Sequence, residues 1–587
     1  MNTFVHLFTH STLTLVVFFP TLAVLPLLFF PRDSQAAVKV YVLLATLAEL
    51  LLGGWYLLAR YTAGAPFPFV RELGLDGQPI PWIPRWGIRY ELAIDGISMP
   101  LVALTLLLMP LVILGSWKGI TKHWQAYGAA MLLLTTGMLG VFLAFDLFLF
   151  YVFWELVLVP MYLIIGIWGG DRKVYAALKF FLYTMAGSLP MLVALLWLGW
   201  RQHETTGVWS FAYADLLQLN LPLGPQLWLF AAFALAFAIK VPMFPLHTWL
   251  PDAHVEAPTG GSVVLAGVLL KLGTYGFLRL AFPLFPQAAV RLGMPLVVLA
   301  VIGILYGALV SWMQGDMKKL VAYSSVAHLG FVMLGLLAFD LVAWQGALLQ
   351  MVNHGLSTGA LFLLVGMLYD RRHTKKFDEF GGLAKVIPVF AFFLVFSALA
   401  SVGLPMLNGF AGEFPILVGS YKSAVLDLRW ATVAATLGVV LAAIYLLKML
   451  FLTLWGPITR QENEGLKDLS LREILALAPL CVLMLWIGVA PACFMDPSTA
   501  HLGQLLGNVR ARIQVPVQPD QVAASGPVTG GSTGPSPARG GVSTSRESRW
   551  RESTSRDSIY ALIRTGASAP IAASDAPASP APAGGAP

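Results

Sequence analysis

Charge is scarce in this 587-residue chain: Asp, Glu, Lys and Arg make up only 11% of it, against roughly a quarter in soluble globular domains. That shortage, with 58% hydrophobic residues and a mean hydropathy of +0.75, excludes an ordinary soluble domain. Cysteine is scarcer still. Cys481 and Cys493 lack metal-ligand spacing, which excludes a disulfide framework, a zinc site and iron–sulfur ligation; both read as inert buried thiols in or beside an apolar run. No GxGxxG follows a strand and nothing signals a flavin site. No Lys or Arg precedes the first apolar run, from Thr12 to Phe30, and no small-x-small site ends it, so it reads as a retained first span, not a signal peptide. The net charge of +7 sits in short loops and a terminal tail instead of on one amphipathic face, and nucleic-acid binding is set aside.

What remains is a succession of apolar runs. A bilayer core of about 30 Å needs roughly 20 apolar residues per helix, and the runs number about fourteen. The expectation is an all-α polytopic membrane protein. Alternate loops are rich in cations, among them Arg32, Lys39, Lys118, Lys122, Arg172, Lys173, Lys179, Lys318, Lys319, Arg371, Arg372, Lys375, Lys376, Lys385, Arg460, Lys467 and Arg472. The opposite loops carry fewer: Arg60, Arg71, Arg85, Arg89, Arg201, Arg279, Arg291, Lys422 and Arg429. The positive-inside rule then places the first set in the cytoplasm and both termini outside. From residue 507 to 587 the sequence turns rich in Pro, Ala, Gly, Ser and Arg, which predicts a disordered tail because too little apolar surface is available to offset ordering.

Six ionisable residues interrupt the apolar runs: Glu155, Lys240, Lys271, His328, His354 and Glu413. A central Lys or Asp costs about 2.5–3.5 kcal/mol on insertion scales, so such groups face a bundle interior, pair with one another or line water. Glu155 with Lys240 could instead be a silent structural ion pair, and either histidine a satisfied core residue. Lys448 and Lys179 lie near span ends, where a long side chain snorkels to the interface.

Two spans also carry helix breakers beside those charges. Pro242 and Pro245 follow Lys240, and Gly403 and Pro405 precede Glu413. Proline removes an amide donor, so each helix opens there, and at membrane depth such backbone must be buried in protein or line water. These are spans seven and twelve on the count above, five helices apart. That spacing predicts two inverted five-helix repeats, spans 4–8 and 9–13. The expected organisation is residues 1–125 for helices 1–3, 126–282 for the first repeat, 291–456 for the second, 457–506 for helix 14 and 507–587 for the tail.

The stretches Phe153-Trp154-Glu155-Leu156, HTWLPDAHVEAPTGGSVVLAGVLLKLG before and through Lys271, AYSSVAHLGF at 322–331, VNHGLSTGALFLLVG at 352–366, FDEFGGLAK at 377–385 and LPMLNGFAGEF at 404–414 resemble the antiporter-like subunits of respiratory complex I. The resemblance covers nearly everything before the tail. It implies proton translocation coupled to quinone reduction elsewhere: Glu155 and Lys240 as a coupled pair, Lys271 as central relay, His328 and His354 as onward links, and Glu413 as exit-side carboxylate. It further implies a bacterial inner-membrane location and partners among the other membrane-arm subunits, including sister antiporter-like subunits and the surrounding lipid. NADH, FMN, iron–sulfur clusters and quinone would belong to those partners, with no cofactor or metal in this chain. Subunits of multi-subunit Na+/H+ antiporters and membrane-bound hydrogenases share the Glu155, Lys240 and Lys271 pattern and are the alternative. Glu413 argues against them.

Overall fold

The computed structural model describes residues 12–31, 34–74 and 77–513. Arg32 and the expected tail beyond residue 513 lie outside the described residues. Helices dominate, and twelve of them are long and apolar enough to cross a membrane among the described residues. In chain order the principal helices are α1 (Thr12–Leu27), α2 (Gln35–Leu58), α3 (Met99–Ser116), α4 (Trp124–Leu143), α5 (Leu147–Trp168), α6 (Lys173–Thr206), α7 (Leu223–Lys240), α8 (Trp249–Glu256) and α9 (Thr259–Leu284). There follow α10 (Gly293–Met313), α11 (Met317–Leu337), α12 (Leu341–Arg372), α13 (Pro388–Val402), α14 (Asn408–Tyr421), α15 (Arg429–Leu454), α16 (Leu471–Val489) and α17 (Ala492–Ile513).

Several starts are written in the local sequence. The Asp146 carboxylate accepts from the amides of Phe148 and Leu149 to begin α5, Asp316 from Lys319 to begin α11, and Asp340 from Val342 and Ala343 to begin α12. Ser470 and Glu473 close a reciprocal capping box at α16. Each such cap is worth about 1 kcal/mol, and it satisfies amides that hydrocarbon would not.

Burial sorts the helices. The apolar windows of α9, α11 and α12 are buried almost throughout, whereas α2, α6, α10, α15 and α16 leave large apolar side chains exposed. Exposed apolar faces on one set and all-round burial on the other are what a bundle solvated by lipid requires. Close approach holds the centre together. A Cβ at Gly355 of α12 would stand 2.9 Å from the Gly267 carbonyl of α9, and one at Gly346 2.9 Å from the Gly412 carbonyl of α14. Only glycine permits those backbones to meet.

Four departures from the sequence reading have physical causes. The segment between α2 and α3 folds into two short antiparallel strand pairs, β1 (Val70–Arg71) with β4 (Ala93–Ile94) and β2 (Ile80–Ile83) with β3 (Ile88–Tyr90), too brief for any alternation to show. Arg279 and Lys318, counted above as loop cations, are buried at helix positions: Arg279 grips Asp95 at 2.6 Å, and Lys318 donates to the Ala257 carbonyl at 2.5 Å. Cys481 is buried, but Cys493 is exposed because it opens α17 just past the end of α16. Finally, helix continues past residue 507 to Ile513. There Arg512 donates to the carbonyls of Pro283 (2.8 Å) and Leu219 (3.0 Å), and Arg510 to that of Phe339 (2.6 Å), so α17 is fastened at its end.

Candidate functional site

The break after α7 puts Lys240 on the last turn of that helix, and α8 resumes only at Trp249. The indole of Trp249 donates to the Ile239 carbonyl at 2.9 Å, satisfying an acceptor that the interrupted helix leaves open. Lys240 is 1% exposed, yet its Nζ has no hydrogen-bond partner. It lies instead 5.4 Å from the ring centroid of Trp154 and 5.6 Å from that of Phe180, within cation–π range of both. Glu155 neighbours Trp154 on α5, just before the helix turns at Val157, and its Oε1 is likewise buried without a partner. The two groups therefore do not hydrogen-bond or form a closed ion pair, and Lys240 rests against aromatic faces instead.

Lys271 occupies the middle of α9 between two π-helical turns, Leu265–Leu269 and Phe277–Ala281. Such turns widen the helix by one residue and are common at functional positions. Here the wider turn lets the Lys271 ammonium reach back to the Ala266 carbonyl of its own helix. On its other side it meets His354 Nδ1 of α12 at 2.6 Å. The rings of His354 and His328 then lie with centroids 5.8 Å apart, tilted 56° to one another. His328 Nδ1 lies 2.8 Å from Glu413 Oε1, across α11 and α14.

The second break supports that end. Gly403, at φ +86°, closes α13 in the left-handed region, which glycine adopts without strain, and α14 begins at Asn408. Two side-chain amides hold the opened backbone and the carboxylate beside it. Asn353 donates to the Asn408 carbonyl at 2.6 Å and to Gln350 Oε1 at 3.3 Å, and Gln350 in turn donates to Glu413 Oε1 at 2.9 Å. Ser401 Oγ and the Tyr445 hydroxyl each lie 3.3 Å from His328 Nε2. Lys271–His354 and His328–Glu413 are thus two hydrogen-bonded pairs brought together at the histidine rings, with Glu155 and Lys240 standing apart from them and from each other.

Several buried polar residues around this row escaped the sequence reading. Gln350, Asn353, Asn408 and Tyr445 look there like the ordinary polar glue of helix contacts. His254 is fully buried, stacks on Phe362 at 4.6 Å between centroids, and has neither ring nitrogen hydrogen-bonded. Its signal was available in the HTWLPDAHVE stretch. Glu49 on α2 is 2% exposed with both oxygens unpartnered. Lys179 pairs with Asp252 at 2.6 Å, and Lys448 donates to the Trp312 carbonyl at 2.5 Å, so neither snorkels freely. Outside the spans, burial would raise Asp95, but the Arg279 guanidinium outweighs it and holds that carboxyl at about 2. No cluster of three or more His, Cys, Asp or Glu able to hold a metal occurs among the described residues.

Residues 144–453 match the family model described as NADH:quinone oxidoreductase/Mrp antiporter, and residues 82–146 match that for the NADH-ubiquinone oxidoreductase chain 4 amino terminus. The chain is 41% identical to the NADH-quinone oxidoreductase subunit M of Rickettsia prowazekii, over 82% of this chain and 96% of that one. The chain belongs to the NADH-quinone oxidoreductase subunit M family. Two further subunit M proteins agree: that of Rhodobacter capsulatus is 42% identical over 84% of this chain and 96% of its own, and that of Escherichia coli K12 is 42% identical over 80% and 91%. A chain of respiratory complex I from Thermus thermophilus superposes with a TM-score of 0.74 at 33% identity, covering 84% of this chain and all of that one. The Mrp complex of Dietzia has a similar fold, with a TM-score of 0.71, but at 18% identity it speaks to the fold alone. The first of the matched family regions carries the site: the row from Glu155 to Glu413 falls inside 144–453.

Proposed function

We propose that this chain is a proton-translocating membrane-arm subunit of a respiratory NADH:quinone oxidoreductase, and that protons cross it along Glu155, Lys240, Lys271, His354, His328 and Glu413. The observation that carries the reading is the buried row from Lys271 to Glu413, in which Lys271–His354 and His328–Glu413 are at hydrogen-bonding distance and the two histidine rings bridge the pairs with centroids 5.8 Å apart. Family membership supports the activity. The bilayer-spanning count in this reading is fourteen: the twelve long apolar helices, with α1 as the first span and α13 with α14 as the interrupted twelfth. The inverted repeats then run from α4 to α9 and from α10 to α15, each broken at its fourth span. Both termini lie outside. Removing Arg279 and Lys318 from the loop count takes one cation from each face and leaves the asymmetry as it was.

The chemistry follows from what each group can exchange. The Lys271 ammonium donates to His354 Nδ1, which requires that nitrogen to be unprotonated and leaves the ring proton on Nε2. A proton passed into His354 leaves Lys271 neutral on a neutral carbonyl and moves the positive charge onto the buried imidazolium of His354, which favours its onward transfer toward His328 and Glu413. It then moves to His328 by ring reorientation or an intervening water, and His328 hands it to the Glu413 carboxylate. Moving Glu155 away from Lys240 removes the charge that favours the ammonium, so desolvation drives the proton onward. NADH, flavin, iron–sulfur clusters and quinone would lie in partner subunits, and the energy would reach this chain through contacts with them.

A Lys271→Met variant tests the proposal. It keeps the side-chain length, removes a costly buried ammonium, and leaves nothing to transfer. Purification through a tag on this chain should still bring down the other complex subunits, while NADH-driven acidification of inverted vesicles is lost. Unchanged acidification would overturn the row as a path. Recovery of antiporter subunits in place of NADH dehydrogenase subunits would overturn the assignment to the respiratory complex.

A further inference from the structure

A cavity of about 790 Å3 opens where α10 ends, α11 begins and α15 ends. Lys319, Lys376 and Lys448 line it together with Asp316 and Asp378, and Phe451, Leu452 and Trp455 form its apolar rim. Lys448 is fixed in place: its Nζ donates to the carbonyls of Trp312 at 2.5 Å and Gln314 at 3.4 Å. An ammonium has three hydrogens, so one remains for a ligand. Asp316 is already engaged, since its carboxylate accepts from the Lys319 amide at 2.9 Å and caps α11. The cavity therefore offers three cations against two carboxylates, of which only Asp378 is free of a helix-capping role.

It is also the end of a long apolar track. On α15 the exposed residues Val433, Leu437, Val440, Ile444, Leu447 and Phe451 recur at alternating spacings of four and three, which keeps them on one face. They lead down the helix to the cavity rim. The adjacent α10 exposes Val298, Ile302, Leu309 and Met313 beside them. Trp430 and Trp455, both about half exposed, mark the two ends of the track, as aromatic residues do at the two membrane interfaces.

We propose that this cavity binds the phosphodiester headgroup of an anionic phospholipid, whose acyl chains lie along the track formed by α10 and α15. The length of the apolar face argues for a lipid. A free anion would use the lysines and none of the track, and a purely apolar partner would leave the excess of ammonium over carboxylate groups in the cavity unmatched. The leaflet, the cytoplasmic one, rests on the orientation given under the proposed function; the site does not.

The test uses the whole complex, purified through a tag on this chain and placed in nanodiscs with a phosphatidylglycerol carrying a photoreactive acyl chain. Labelled peptides from the 444–455 and 309–313 segments are expected, with phosphatidylcholine labelling them far less. Each juxtamembrane lysine is worth roughly fivefold in binding to an anionic lipid, so Lys448→Gln should weaken labelling about fivefold, and the triple variant with Lys319→Gln and Lys376→Gln roughly a hundredfold. Should the triple variant fail to assemble, Lys448→Gln alone decides. Equal labelling by phosphatidylcholine, indifference to the lysines, displacement by excess inorganic phosphate, or a protein crosslink in place of the lipid would each overturn the proposal. NADH-driven acidification and the set of co-purifying subunits, measured on the same material, report on the proton-transfer reading separately.

Discussion

Replacing Glu413 by Gln keeps the shape of the side chain and changes two contacts of known length. Its Oε1 is 2.8 Å from His328 Nδ1 and 2.9 Å from Gln350 Nε2. A hydrogen bond to a charged group contributes about 1.5–3 kcal/mol and a neutral one about 0.5–1.5 kcal/mol, so the amide forfeits roughly 1–1.5 kcal/mol per contact. That alone reduces the population of the aligned arrangement by about tenfold or more. The amide in addition cannot take up a proton, and a positioned acid–base group typically contributes a factor of about 10²–10⁴. Proton delivery through this end should therefore fall at least about a hundredfold. The assay is dye-reported acidification of inverted vesicles driven by NADH, with NADH oxidation followed in the same sample. Gln350→Leu supplies the scale: it removes one donor to the charged carboxylate and leaves the carboxylate itself, so a loss of about tenfold is expected, from roughly 1.5 kcal/mol. Glu413→Gln with an unchanged ratio of protons to NADH would refute the reasoning, as would Gln350→Leu damage equal to that of Glu413→Gln.

Other expectations follow from single contacts. A Cβ at Gly412 would collide with Gln350 Oε1, so Gly412→Ala should lower acidification by displacing the Glu413 donor even though it changes no titratable group; vesicle acidification again reads it. Glu155 and Lys240 do not touch, so a double-mutant cycle with Glu155→Gln and Lys240→Met should give a coupling in thermal unfolding below about 1 kcal/mol, while either single variant abolishes pumping. Burial, reinforced by Asp146 and only partly offset by Arg71 and Arg89, pushes Glu91 up to about 7. A carboxyl raised in the folded state binds protons more tightly there than when unfolded, so it stabilises least once pH has risen through about 7. Hydrogen exchange of the 70–94 segment should accordingly quicken, beyond its intrinsic pH dependence, between mildly acidic and mildly alkaline solution, and Glu91→Gln should flatten that excess.

Residues that violate the solvent are easy to see in a sequence. A Lys or Glu in the middle of an apolar run announces itself by its cost, which is why the row could be named, and Pro242 and Gly403 mark where helices stop because their backbones allow little else. What a sequence conceals is pairing across distance. Arg279 looks like the cation ending an apolar run until Asp95, 184 residues away, is found against it. Glu155 and Lys240 look like a pair until Lys240 is found against two aromatic faces with no hydrogen-bond partner. Amides are quieter still: Gln350, Asn353 and Asn408 cost little wherever they can bond, so nothing in their residue types separates the ones holding Glu413 from any others. The last turns of α17, residues 507–513, are hidden for a related reason, since their composition resembles a tail and only the bonds of Arg510 and Arg512 to distant carbonyls reveal that they are packed.

The Lys271 ammonium rests on the carbonyl of Ala266, Lys318 on that of Ala257, and Lys448 on that of Trp312. A backbone carbonyl belongs to every residue type. No amino-acid replacement removes it, so side-chain scanning of these positions will pass over the partner that receives the charge. Selection has the same blindness: drift in side chains can neither delete nor improve that acceptor, and only a shift in helix register moves it. In α9 the inserted π turn supplies that register, so gain or loss of one residue there, not substitution, is the genetic event able to reset the central lysine.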